Sequence, residues 1–149
     1  MTSVSDENDM KQLGRRLGER LRGGEVIELV GDVGAGKTTL VKGIGEGLLL
    51  DDDVQSPSFT ISRVYEARDD LRLHHYDFYR LNDAGVMSFE LAESMAEPKT
   101  VTVVEWADTV HDVLPKNHVR INIAYTPDGE GRELTMAVPE ELNYLKEAV

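Results

Sequence analysis

The feature that most constrains this chain is a glycine-rich stretch at residues 31–38, GDVGAGKT, which matches the phosphate-binding pattern G-x-x-x-x-G-K-[ST] in full. In such a loop, glycines let backbone N–H groups approach phosphate oxygens, and the following helix adds the positive end of its dipole. Average residue usage produces this pattern in roughly half a per cent of chains of this length. The required context is also present, because a strand-like run precedes the loop and a helical run follows it. The loop therefore predicts that the phosphates of ATP bind here.

The residues of this loop have different predicted roles in binding ATP. Lys37 supplies a cation to the outer phosphates, the hydroxyl of Thr38 ligates Mg²⁺, and Thr39 hydrogen-bonds the inner phosphate. The other predicted phosphate-binding residues are Asp32, Val33, Gly34, Ala35 and Gly36.

Two acidic residues at predicted strand ends are candidates for hydrolytic chemistry, which also needs a carboxylate for the metal and a group to orient water. Glu105 closes the uncharged run TVTVV, and Asp77 closes LRLHHY. Ligands of open α/β sheets collect at the carboxyl ends of strands, so we expect Glu105 to hold Mg²⁺ and Asp77 to act on the metal's water shell or the attacking water. Each residue has a simpler interpretation, as a polar strand terminus for Glu105 and as a structural acid for Asp77.

Other side chains with chemical potential carry weaker signals. Thr60 follows a proline loop and is a candidate switch residue near the γ-phosphate, or an ordinary strand threonine. Arg132 follows a glycine turn and is a candidate nucleotide contact, or an exposed arginine. The adjacent His74 and His75 face opposite sides of a strand and cannot bind one metal together. We interpret all four histidines as packing or surface residues, and Trp106 as a core residue.

The periodicity of the whole chain predicts alternating strands and helices, hence an α/β fold. It is a three-layer sandwich, a P-loop NTPase whose central sheet mixes parallel and antiparallel strands, because the run at 59–67 returns through a turn into 71–78. The predicted strands span 25–30, 59–67, 71–78, 100–105, 119–125 and 133–138, and the predicted helices span 10–22, 37–50, 84–95 and 139–148, with helical turns at 107–113.

The length, charge and composition of the chain limit the kinds of protein that it can be. The 149 residues suit a single domain over 1–149, in which we expect 1–9 to be a disordered tail. A net charge of −12 disfavours direct binding of nucleic acid by the whole surface. No cysteine, signal peptide or membrane-length apolar run is found, so we expect a cytoplasmic protein without a membrane partner. Basic residues cluster over 11–22, which is either a solvated helix face or a docking face for a partner.

Four sequence blocks in order resemble the TsaE (YjeE) family of bacterial ATPases. They are LVGDVGAGKTTLVKG at 29–43, SPSFT at 56–60, HHYDFYRL at 74–81 and VVEW at 103–106, with a late GRE at 131–133. The resemblance runs from about residue 10 to 137 and implies slow ATP hydrolysis. It also implies two partner proteins, TsaB and TsaD, which carry out threonylcarbamoyladenosine modification of tRNA, so that tRNA is involved only indirectly. By the family pattern, Thr38 and Glu105 ligate Mg²⁺, Asp77 supports hydrolysis and Arg132 contacts the nucleotide.

The chain departs from the family pattern at two positions. Met10 stands where the family often has a threonine that touches the nucleotide, which weakens the expectation of a contact from the first helix. Leu91 replaces a common glycine, so the helix there is expected to be more continuous.

Three other functions fit a P-loop. A small-molecule kinase usually has an arginine-rich lid, but residues 82–99 contain no arginine. A GTPase needs an N-K-x-D motif, which is absent. A non-catalytic adaptor gated by nucleotide binding remains open on sequence grounds.

Overall fold

The computed structural model describes residues 2–32, 34–55, 62–79 and 85–148, without the side chain of residue 86. Within these residues the chain forms a seven-stranded sheet in the order β1-β7-β6-β2-β5-β4-β3. The strands are β1 (Thr2–Val4), β2 (Val26–Val30), β3 (Ser62–Glu66), β4 (Arg72–Asp77), β5 (Thr100–Glu105), β6 (Val119–Tyr125) and β7 (Arg132–Ala137). The α-helices are α1 (Glu7–Arg20), α2 (Lys37–Gly47) and α3 (Gly85–Ala96), and 3-10 helices span Arg68–Asp70, Ala107–Val113 and Glu140–Ala148.

The sheet has a parallel centre and antiparallel edges. Strand β2 lies between β5 and β6 and is parallel to both, and β4 extends the parallel set beside β5. Antiparallel pairs β3–β4, β6–β7 and β1–β7 complete the two edges. The predicted mixed α/β sheet is confirmed, as is the antiparallel return of the strand after residue 70.

Apolar side chains cover both faces of the sheet, which makes the three layers. On one face, Ile27 and Val103 join the buried side chains of α1 and α2. On the other face, Tyr76 and Val104 pack with α3 and the 3-10 helix Ala107–Val113. Leu91 is fully buried in this second cluster within an unbroken α3, as its replacement of glycine predicts. None of the helices in the described ranges is long and apolar enough to cross a membrane.

Residues 2–9 contribute a strand and the start of a helix, which differs from the expectation of a disordered tail over 1–9. Residues 2–4 add an edge strand to β7, and α1 begins at Glu7 rather than residue 10. The carboxylate of Asp6 accepts a hydrogen bond from the backbone N–H of Asp9 at 2.8 Å and so caps the helix. Three residues are too few to show a strand period, and main-chain pairing to β7 depends little on side-chain type.

The carboxyl-terminal segment also differs from its prediction. Residues 140–148 form a 3-10 helix with a non-helical Leu142, at φ −116°, instead of a regular α-helix. Leu145 and Ala148 are nevertheless buried against the first core. The hydroxyl of Tyr144 donates a hydrogen bond at 2.5 Å to Glu25, which anchors the segment to the start of β2. Tertiary contacts therefore set the local helix type here.

Helices α1 and α2 touch through their backbones. A Cβ placed on Gly14 would lie 2.4 Å from the carbonyl oxygen of Leu40, and one on Gly43 would lie 2.1 Å from that of Lys11. Gly18 and Gly47 make equivalent contacts one turn further along. Real Cβ atoms do not approach backbone oxygens so closely, so any larger residue would push the two helices apart.

Arg68, which lies in the turn between β3 and β4, joins the carboxyl ends of the same two helices. Its Nη2 donates to the carbonyl oxygens of Gly18 at 2.8 Å and of Leu21 at 3.1 Å, and its Nε donates to that of Gly47 at 3.3 Å. The last carbonyls of a helix lack intrahelical partners and carry negative partial charge, so a guanidinium satisfies both needs.

Replacing Gly43 with alanine should destabilise the fold. The added Cβ meets backbone that cannot rotate away, so we expect a loss of about 1–3 kcal/mol or more in the free energy of unfolding. Urea denaturation measures this change. The matched control is Lys42→Ala on the exposed side of the same helix, which should stay within about 0.5 kcal/mol of the natural chain. Equal stability of the two variants would contradict the close helix contact.

Candidate functional site

The loop between β2 and α2 has the backbone shape that a phosphate-binding loop requires. Gly34 and Gly36 have positive φ angles of 83° and 111°, a conformation that residues with a Cβ rarely adopt. Ala35 N–H donates to the carbonyl of Asp32 at 3.0 Å, which closes the turn. The loop lies at the carboxyl end of a central parallel strand and leads into the first turn of α2. Val33, predicted as part of this loop, lies outside the described residues.

Lys37 is buried at the base of the loop, only 6% exposed. Its Nζ donates to the carbonyl oxygen of Gly31, and to that of Asp32 at 3.1 Å, and it lies 4.3 Å from the centre of the Trp106 ring. Burial lowers the pKa of Lys37, and the carboxylates of Glu105, Asp77 and Asp32 oppose that shift. The ammonium group is thus desolvated beside acidic partners and within reach of a ligand in the loop.

The two acids predicted from strand ends lie side by side. Asp77 ends β4, Glu105 ends β5, and the two residues are direct neighbours in the parallel ladder. Glu105 also neighbours Leu29 of β2, so the acid pair lies beside the strand that leads into the loop. Both acids are buried, and Asp77 accepts a hydrogen bond from the backbone N–H of Tyr79 at 3.0 Å. The structure therefore brings Lys37, Asp77 and Glu105 together, as the sequence predicted.

A contact of Glu105 was missed by the sequence interpretation. His75, fully buried on β4, places Nε2 at 2.5 Å from Oε2 of Glu105. From the sequence alone, His75 is interpreted only as a packing or surface residue. The spacing in His-x-Asp at the end of a strand was the available signal, because alternate residues of a strand point to the same face.

A cavity of about 740 Å³ joins these groups, a size typical of small-molecule sites. Three parts of the chain line it: the loop and first turn of α2, the ends of β4 and β5, and an amino-terminal wall next to the turn before β7. The lining residues are Val4, Ser5, Asp6, Glu7, Met10, Gly34, Ala35, Gly36, Lys37, Thr38, Thr39, Asp77, Tyr79, Glu105, Trp106, Glu130, Gly131 and Arg132.

Arg132 takes part in the loop rather than extending into solvent. Its Nε donates to the carbonyl of Ala35 at 3.1 Å, and its guanidinium stacks on the ring of Tyr125 at 4.0 Å. Arg132 thereby supports the loop backbone and also faces the cavity. Asp32 is in the loop, but its side chain is exposed and is not among the residues that line the cavity. Thr60 lies outside the described residues.

Two further residues differ from the sequence interpretation. Trp106 is half-buried at the edge of the second core and lines the cavity, with its ring tilted against that of Tyr79 at a centroid distance of 4.8 Å. Met10 brings α1 to the site after all, because its Cε lies 2.9 Å from the position of a Cβ on Gly36. The first helix therefore covers the loop with a thioether where a hydroxyl was the family expectation.

The donor set fits a nucleotide polyphosphate with a hard divalent cation. The loop offers backbone N–H groups and an ammonium, which suit phosphate oxygens. Magnesium is commonly held by one or two carboxylates together with substrate phosphates, and the hydroxyl of Thr38 with Glu105 and Asp77 supplies such oxygen atoms. Two buried carboxylates side by side also leave negative charge that a cation would offset.

The fold and this site together define a P-loop protein with a mixed α/β sheet. A family model described as "Threonylcarbamoyl adenosine biosynthesis protein TsaE" matches residues 4–134. The chain therefore belongs to the TsaE family, whose members are named for threonylcarbamoyladenosine biosynthesis on tRNA.

Individual relatives agree with this assignment. A TsaE protein of Nostoc is 36% identical over 85% of this chain and 78% of its own length. One from Bacillus subtilis is 41% identical over 75% of this chain and 68% of its own length. A crystal structure of Bacillus subtilis YdiB superposes with a TM-score of 0.74 at 30% identity, covering 98% of this chain and 90% of that one.

Trp106 should report on ligand binding, because it is the only tryptophan of the chain and contacts both Lys37 and the cavity. Adding a nucleoside triphosphate is expected to produce a saturable change in its fluorescence, since phosphate charge would draw the Lys37 ammonium away from the ring. Free tryptophan in the same titration controls for absorption by the nucleotide. A strictly linear signal would count against a ligand in this cavity.

Proposed function

We propose that this chain is a single-domain cytoplasmic ATPase that binds ATP with Mg²⁺ and hydrolyses it slowly. Through that cycle it supports a TsaB–TsaD complex in the threonylcarbamoyladenosine modification of tRNA. The family assignment supports the pathway, and the chemistry of the cavity supports the nucleotide and the metal.

One observation carries the proposal. The ammonium of Lys37 and the carboxylates of Asp77 and Glu105 are all buried, yet all three residues line the same ligand-sized cavity as the glycine loop. Burying three ionisable groups is costly unless they are compensated. A polyphosphate with its cation complements the charges of all three, which a glycine turn that binds no ligand would not require.

The residues divide the work as follows. Lys37 and the amides of 32–36 hold the phosphates and stabilise charge that develops on their oxygens during hydrolysis. Thr38 and Glu105 are the metal ligands, and Thr39 bonds the inner phosphate. Bound Mg²⁺ supplies positive charge at the phosphate oxygens.

The remaining site residues orient the reactants. Asp77 orients the attacking water, and Thr60 is assigned the role of a switch residue for the γ-phosphate. Arg132 holds the nucleotide from the side of β7, where it already hydrogen-bonds the carbonyl of Ala35.

The partners TsaB and TsaD carry out the group transfer, and this chain is involved with tRNA only indirectly, through them. The overall charge of −12 supports this division, since it disfavours direct contact with a polyanion.

Replacing Lys37 with alanine should remove tight ATP binding. A charged hydrogen bond to phosphate contributes about 1.5–3 kcal/mol, so affinity should fall at least about tenfold to a hundredfold. Isothermal calorimetry with Mg²⁺-ATP measures the loss. Lys42→Ala, on the exposed face of the same helix, is the matched control and should keep the natural affinity. Full retention of affinity in Lys37→Ala would refute the phosphate site.

Replacing Glu105 with glutamine should separate binding from turnover. The amide keeps the size of the side chain but loses the charge at the metal, so ATP binding without Mg²⁺ should persist while Mg²⁺-dependent hydrolysis falls about 10²-fold or more. Phosphate release measures hydrolysis, with the exposed Glu93→Gln as control. In a reconstituted TsaB–TsaD reaction, Glu105→Gln should also stop repeated rounds of tRNA modification. Repeated rounds without hydrolysis would instead favour a non-catalytic adaptor.

A further inference from the structure

His75 and Glu105 form a buried pair that the proposed chemistry has not used. His75 is 0% exposed, and its Nε2 lies 2.5 Å from Oε2 of Glu105, which is itself 3% exposed. The other ring nitrogen, Nδ1, has no hydrogen-bond partner among the described residues. Among the described residues, the polar contact of the imidazole is therefore the one with the carboxylate at the end of β5.

The position of the ring proton follows from these contacts. A carboxylate only accepts hydrogen bonds, so Nε2 carries a hydrogen and donates a hydrogen bond to Oε2. Nδ1 then presents a lone pair to its surroundings, and a buried acceptor without a partner is less costly than a buried N–H without one. The Nε2–H group of the ring thus faces the carboxylate of Glu105.

The strand register explains how His75 reaches the carboxylate of Glu105. His75 lies two residues before Asp77 on β4, so the two side chains share one face of the strand. Asp77 is the cross-strand neighbour of Glu105, and His75 reaches the same carboxylate from further down the sheet. With Oε2 held by His75, the carboxylate cannot rotate freely, and Oε1 is the oxygen that His75 does not engage.

We propose that His75 is a positioning residue that holds the carboxylate of Glu105 in the orientation required to ligate Mg²⁺ of the bound nucleotide. This inference rests on the proposed function of the site. Side chains that hydrogen-bond a metal ligand commonly orient it, and their removal lowers metal affinity.

The adjacent His74 shows what a structural histidine looks like in the same strand. It faces the opposite side of the sheet, where Nδ1 lies 2.9 Å from Oγ of Ser94 and its ring stacks on Tyr76 at 4.1 Å. Burial, with a smaller contribution from His75, lowers the pKa of His74 to about 4, so it is neutral near pH 7. It bonds Ser94 rather than a predicted metal ligand and is therefore a matched control.

The test measures metal dependence rather than activity alone. ATP affinity is determined by calorimetry without Mg²⁺ and at increasing Mg²⁺ for the natural chain and for His75→Leu, His75→Asn, His75→Gln and His74→Gln. Glutamine can place its Nε2 near the position of the imidazole Nε2, whereas asparagine is too short and leucine has no donor. Thermal unfolding checks that each variant is folded.

The expected pattern is a selective loss. In His75→Leu and His75→Asn, the Mg²⁺ concentration for half-maximal enhancement of ATP binding should rise about 10–100-fold. ATP affinity without Mg²⁺ should remain within about twofold of the natural value. His75→Gln should recover most of the metal dependence, and His74→Gln should match the natural chain. If His75→Leu does not fold, the contrast between the asparagine and glutamine variants decides the question.

Three results would overturn the positioning role: natural Mg²⁺ dependence in both His75→Leu and His75→Asn, equal losses with and without Mg²⁺, or no recovery in His75→Gln. If the natural chain itself binds ATP without any Mg²⁺ dependence, the proposed metal site fails and the role of His75 fails with it. The titration of the natural chain thus distinguishes the two failures.

Discussion

The contact on which the rest of this structure depends is the backbone-to-backbone crossing of α1 and α2. It exists because glycines face each other along both helices, so that a Cβ on Gly43 would lie 2.1 Å from a carbonyl oxygen of α1. Helix α2 is the continuation of the phosphate loop, and α1 is therefore held at a fixed distance from that loop. This places Met10 over Gly36 at one end, while Arg68 ties the carboxyl ends of both helices at the other.

The parallel centre of the sheet determines which groups lie beside the crossing of α1 and α2. Since β2, β5 and β4 run in the same direction, the loop and the acids Asp77 and Glu105 emerge at one edge. Buried charged groups need partners, and the described residues supply them from different layers of the fold. His75 donates to Glu105 from within the sheet, and Lys37 lies beside the two carboxylates and against Trp106. The TsaE family assignment agrees with this arrangement, since the superposition with a relative's crystal structure covers 98% of the chain.

Much of this could be predicted because the signals are local. The phosphate loop is a contiguous motif, and the strand ends at Asp77 and Glu105 show as apolar runs closed by an acid. The order of the amino terminus could not be predicted, because residues 2–4 gain their structure from pairing with β7, far away in the sequence. The 3-10 form of residues 140–148 was missed for a similar reason, as it follows from packing and from the bond between Tyr144 and Glu25.

By itself, the sequence determined the class of fold, the family and the residues able to hold phosphate, because glycine spacing, strand periods and a lysine at the start of a helix act over a few neighbouring positions. Only the tertiary structure decided which other side chains meet that loop. His75 is paired with Glu105, Arg132 is bound to the loop backbone, and Trp106 and Met10 line the cavity as well as packing against the core. These are contacts between residues far apart in the chain, and their geometry follows from strand register and helix crossing, which no local pattern encodes.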